Sequence, residues 1–132
     1  MDNIELFNRI VAQVFKQLYE QFPKPIILQV KDVRSEAGIP IDAWWEVAKQ
    51  NPVSAAVMWL NEEGFIRYRD QASFSQFSDT VLTSKGFAAL NKAPESLSAD
   101  QSIGEKLREY SKTLPKEIVG GLVKGLIGSA FA

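Results

Sequence analysis

The side chains best suited to touching a phosphate are Arg67 and Arg69, two residues apart and so projecting from one face of a strand. Asp70 stands beside them, which weakens any attraction for an anion. The carboxylates form no catalytic pair. Glu62 and Glu63 are adjacent and would diverge on a helix, and Asp70 and Asp79 bracket a polar loop. The chain has no histidine and no cysteine. That excludes thiolate nucleophiles, Ser–His and Cys–His dyads, zinc held by Cys or His, and a histidine pH switch. No Gly-rich dinucleotide motif, phosphate-loop lysine, Gly-x-Ser-x-Gly or calcium-loop spacing occurs. We therefore expect no catalytic residues, no metal ligands and no cofactor, that is, a protein that is not an enzyme.

Composition frames this expectation. With 132 residues, 45% hydrophobic and 23% charged, the chain fits one globular domain. Its 15 basic and 16 acidic side chains give a net charge of −1. Neither the first 92 residues nor the remainder carries a cationic excess of the kind that neutralises phosphates. The N-terminus lacks the basic leader of a secretory signal, and no apolar run is long enough to span a bilayer. A cytoplasmic location is the expectation that follows.

Local signals place the elements. Ile4, Phe7, Val11, Val14, Leu18 and Phe22 recur at helical spacing, with Asp2 or Asn3 able to cap the start and Pro23 and Pro25 ending the run. Ile26, Ile27, Leu28 and Val30 suit a strand or a loop packed on the core. The stretch from Asp32 to Pro40 reads as a connection holding one helical turn at most. Asp42 caps an expected helix through Ala43–Gln50, where adjacent Trp44 and Trp45 point in different directions. Asn51–Pro52 starts another helix that Gly64 stops. Phe65, Ile66 and Tyr68 then pair with Val81 and Leu82 across the loop from Asp70 to Asp79, and Thr83 caps a helix containing Phe87, Ala88 and Leu90.

From Asn51 to Lys92 the order helix, strand, loop, strand, helix resembles the winged-helix superfamily. The resemblance implies an α+β winged-helix-like domain over residues 1–92, with three helices, a small antiparallel wing and a following helix. Members of that superfamily mostly bind DNA or protein. A DNA-binding regulator would read base edges with Ser54 and Asn61 on the third helix and hold the backbone with Arg67 and Arg69 in the wing. From Val53 to Glu63, however, there is no lysine or arginine. The wing carries Phe74 and Phe77, which suit burial against a partner or against the chain's own tail.

Residues 93–102 form a Pro/Ser-containing connector. Beyond it Ile103, Leu107, Tyr110 and Leu114 recur at helical spacing, capped by Asp100 or Ser102, until Pro115 interrupts. The segment from Ile118 to the C-terminus holds four of the chain's eight glycines and only one charge, Lys124. Gly121, Gly125 and Ser129 form a small-residue stripe with Leu122 and Leu126 opposite. As a helix its length is about 22 Å, short of a hydrocarbon core of about 30 Å. Three uses stay open for residues 103–132, the expected C-terminal helical extension: packing on the chain's own domain, pairing with a second copy as a homodimer, or contact with a membrane surface or another protein. The functional expectation is a protein-interaction module, with Phe74, Phe77 and the tail as contact surfaces. A DNA-binding regulator and a peripheral-membrane or immunity-type accessory protein are the alternatives.

Overall fold

Helix α1 (Asn3–Gln21) is the pillar around which the other elements pack. The computed structural model describes residues 2–40, 51–73, 75–92, 101–110 and 113–128. Asp2 caps α1 by accepting the Glu5 N–H at 2.8 Å. The apolar stripe read from the sequence is buried, but so is every residue from Arg9 to Phe15. A helix enclosed on all sides needs neighbours on all sides. On α1 these come from the N-terminal helices and strands and from two C-terminal helices.

Strand β1 (Ile26–Gln29) leads directly into α2 (Val30–Glu36). This corrects two expectations, because Val30 is helical and so is most of the stretch taken for a connection. Val30, Val33 and Ala37 are buried, three and four residues apart, while Lys31, Asp32 and Glu36 face water. So short an apolar face is hard to distinguish from a strand end by periodicity. The expected helix through Ala43–Gln50, with Trp44 and Trp45, lies outside the described residues, as do Phe74 and Ser129.

Helix α3 (Pro52–Glu62) begins where Asn51 Oδ1 accepts the Ser54 N–H at 2.8 Å. It ends in a left-handed turn at Gly64, with φ +83°. There the Phe65 N–H reaches back to the Leu60 carbonyl at 3.0 Å, the bond that closes a Schellman cap. Strands β2 (Ile66–Arg67), β3 (Asp70–Ser73) and β4 (Gln76–Leu82) follow. β4 is central to a small antiparallel sheet of four strands, with β1 along one edge and β2 and β3 along the other. Ile66 faces Leu82 and Asp70 faces Ser78. On the β1 side Ile26 faces Thr80 but Leu28 faces Phe77, so β4 carries an extra residue there. Asp79, at φ +49°, marks this bulge, and a short polar side chain tolerates the left-handed conformation.

Helix α4 (Ser84–Leu90) is capped by Thr83, whose hydroxyl accepts the Gly86 N–H at 3.1 Å. Gly86 sits against the Phe65 carbonyl so closely that a Cβ would collide with the backbone oxygen. Helix α5 (Ile103–Arg108) opens with a reciprocal cap between Ser102 and Glu105. It stops at Arg108 rather than continuing through Leu114 as the spacing suggests. Lys16 Nζ donates to the Tyr110 carbonyl at 3.2 Å, and Arg9 donates to the Leu114 carbonyl at 3.0 Å. These cations of α1 supply donors to carbonyls in the segment that follows α5.

Helix α6 (Lys116–Gly128) starts after Pro115 and lies along α1, touching α4 and α5 as well. One hydrophobic cluster joins Phe15, Leu60, Phe65 and Phe77 to Leu107, Leu122 and Leu126. The C-terminal helices therefore share the core of the first ninety residues.

Candidate functional site

The structure separates the residues that the sequence suggested for nucleic acid. Ser54 is fully buried in the first turn of α3 and cannot reach a base edge, which corrects that expectation. Asn61 is half-buried near the end of α3, and its carbonyl accepts the Gly64 N–H at 3.1 Å. Arg67 is exposed on β2. Arg69 is also exposed, but its Nε lies 3.1 Å from Asp79 Oδ2. The Asp79 carboxylate beside it weakens any attraction of Arg69 for a phosphate.

The residues suggested for a protein partner divide as well. Phe77 is fully buried and packs edge-on against Tyr68, with ring centroids 4.8 Å apart. It belongs to the core and presents nothing to a partner. Alternation along β4 could not have indicated this, because the bulge at Asp79 breaks the inward-outward period between Phe77 and Val81. Leu122 and Leu126 are likewise buried, against α1 and its neighbours, so they too are corrected. Gly121 is exposed with open space where a Cβ would stand. Gly125 meets Ile103, whose Cδ1 would lie 3.4 Å from an added Cβ. The stripe of small residues is thus one open position and one packed position, and Ser129 lies outside the described residues.

Arg9 and Lys16 of α1 donate to the Leu114 and Tyr110 carbonyls, and the Tyr110 phenol ties the segment after α5 to the end of α2. The Arg9 guanidinium lies 3.2 Å from Glu5 and is itself 7% exposed. Burial alone would lower its pKa, but hydrogen bonds with Tyr110 and Glu5 raise it, and the group stays charged. The Tyr110 hydroxyl donates to the Ala37 carbonyl at 3.2 Å. Burial pushes the Tyr110 phenol above its ordinary value, with Arg9 opposing. Tyr68 is raised too, first by burial and then by the charge of Glu62. Arg9 and Tyr110 serve the fold, because both donate to backbone carbonyls of the chain itself.

The feature missed by the sequence reading is a groove between α1 and α3. Its volume is about 460 Å³. Leu6, Phe7 and Ile10 line it from α1, and Pro52, Ala55 and Trp59 line it from α3. Phe7 and Trp59 meet edge to face with centroids 5.4 Å apart, which fixes the indole as a wall. Ala55 is exposed, Trp59 is half-buried, and nearby Ile4 is 61% exposed. The available signal was the alternation of small and large residues on α3, with Ala55 and Ala56 beside Met58 and Trp59. It could not be used without knowing that α1 lies alongside.

Chemically, the lining of this channel is apolar, so it offers contact area for a hydrophobic surface. Among the described residues no group of three or more acidic side chains is placed to hold a metal ion, and no helix is long and apolar enough to cross a membrane. No protein-family model, curated protein or solved structure matches the chain.

Proposed function

We infer that this chain is a non-catalytic protein-interaction module of winged-helix type, engaging its partner through the groove between α1 and α3. The observation that carries the reading is the groove itself, an apolar channel on the outer side of α3. The winged-helix part is supported by the element order from α1 to α4 and by a sheet in which β4 lies between β1 and the β2–β3 edge. In a DNA reader of this type the outer face of the third helix would carry cations and hydrogen-bonding side chains. Here that helix has no lysine or arginine, and Ser54 is inside. Contact with apolar protein surface suits such a face better than contact with phosphate.

Titrating labelled duplex DNA at low ionic strength tests the choice. Negligible saturable binding is expected. Tight binding that weakens steeply with salt and is lost in Arg67→Ala/Arg69→Ala would instead establish the regulator. Access to the groove is checked separately with an environment-sensitive naphthalene dye. Its fluorescence should rise on mixing with the wild-type chain, and Ala55→Arg should suppress that rise.

A further inference from the structure

The segments that build the groove have an uneven charge. Residues 2–10 and 52–63 together contain four carboxylates, Asp2, Glu5, Glu62 and Glu63, and a single guanidinium, Arg9. Arg9 is turned inward, paired with Glu5 and donating to the Leu114 carbonyl, so that pair cancels. Asp2, Glu62 and Glu63 remain, with exposed Lys85 Nζ 2.6 Å from the Glu63 carbonyl offsetting part of the charge at the end of α3. Asp2 is exposed at the start of α1, next to the Asn3 that rims the groove. Glu62 is exposed three residues beyond Trp59, roughly one helical turn along α3. An apolar floor is therefore flanked by negative charge at the start of one helix and at the end of the other.

We propose that the α1–α3 groove receives an amphipathic helix of another protein, whose apolar face fills the channel and whose flanks carry lysine or arginine. This rests on the interaction-module reading and adds the chemistry of the partner. Two packed helices form a trough that a third can enter, anchored by side chains spaced three and four residues apart. The channel volume falls within the roughly 300–1,000 Å³ typical of ligand-binding clefts, enough for several apolar side chains. Trp59 and Phe7 supply the rigid aromatic wall on which such anchors gain most. Charge then selects among apolar partners. A second copy docking face to face would bring the same carboxylates against each other, and phosphate-bearing surfaces would be repelled likewise. A cationic flank meets the opposite field, which speeds encounter and excludes acidic competitors.

The test is selection of a randomised helical peptide library against the full chain, with counter-selection against Ala55→Arg. Ala55 is exposed, so that variant should keep the wild-type circular dichroism and unfolding midpoint. Enriched peptides should combine apolar residues at spacings of three and four with an excess of lysine and arginine over acidic residues at their ends. Their affinity should fall several-fold when salt is raised and also in Glu62→Lys. Enrichment of acidic or uncharged peptides that ignore salt, but still require an intact Ala55, would overturn the charge inference while leaving the interaction module standing. Peptides that bind Ala55→Arg as well as wild type, or an absence of enrichment, would remove both. Self-association of the chain that Ala55→Arg abolishes would assign the groove to a second copy and overturn the proposal.

Discussion

Helices α3 and α6 are both mostly apolar and both rest on α1, yet they finish at the surface in different ways. Inward, α3 buries Val53, Ala56, Val57 and Leu60, and α6 buries Val119, Leu122, Val123 and Leu126. Outward, α3 leaves Ala55 exposed and Met58 and Trp59 half-buried, whereas α6 leaves Ile118, Gly121, Lys124 and Gly128 exposed and Ile127 half-buried. Gly121, Lys124 and Gly128 break up the outer side of α6, so its exposed Ile118 stands apart from any continuous apolar surface. Alanine beside tryptophan makes a step and a wall, and the outer side of α3 becomes a channel. Two helices of similar hydrophobicity thus serve opposite ends, one closing the core and the other opening a surface. Glycine costs a helix about 1 kcal/mol per residue relative to alanine, so α6 owes its existence to packing on α1 more than α3 does.

The comparison is broken most directly at Leu126, fully buried on α6. Leu126→Ala should cost about 2–5 kcal/mol in urea unfolding, as for other core truncations. Ala55→Arg on α3 should change stability by no more than about 0.5 kcal/mol. Near-equal effects would mean that α6 stands outside the cooperative core.

Two glycine substitutions sharpen it. Gly86→Ala forces a methyl against the Phe65 carbonyl oxygen and should destabilise by about 1–3 kcal/mol. Gly121→Ala places the same methyl in open space and should stabilise by up to about 1 kcal/mol. Thermal unfolding of the pair must therefore show midpoint shifts of opposite sign.

A third prediction concerns the fastening of the C-terminal helices. Tyr110→Phe removes the bond to the Ala37 carbonyl and should cost about 1 kcal/mol at neutral pH. The sign of the pH effect follows from the raised folded-state pKa, which means that folding favours the neutral phenol. That contribution is complete below the ordinary value of 10.0 and is lost as pH rises through the folded value. Wild type should lose stability on alkaline titration more steeply than Tyr110→Phe, and parallel curves would refute the assignment. The smallest effect belongs to the exposed Arg69–Asp79 pair. Arg69→Ala should alter unfolding by about 0.5 kcal/mol or less, and less still in high salt.

Much of the fold was legible because its signals are local. Asp2, Asn51, Thr83 and Ser102 each accept an amide three residues ahead, and Gly64 takes the positive φ that ends α3. The misread elements lack such signals. α2 has no side-chain cap at its start, and its apolar face is too short to show a period. The end of α5 at Arg108 has no marker in the apolar spacing, which runs on to Leu114. The candidate site was less legible still. Ser54, Phe77, Leu122 and Leu126 were marked as contacts because their types suit contact, and the fold uses that same property to bury them.

Taken alone, the residue order set the chemistry that is out of reach, through the lack of histidine and cysteine, and it set where most helices begin, through bonds spanning three or four residues. It also set the absence of cations along α3. Only the tertiary structure decided which apolar faces meet each other and which meet water. Burial depends on a neighbour brought from elsewhere in the chain, and hydrophobic attraction, having no direction, leaves no mark in the order of residues that names that neighbour.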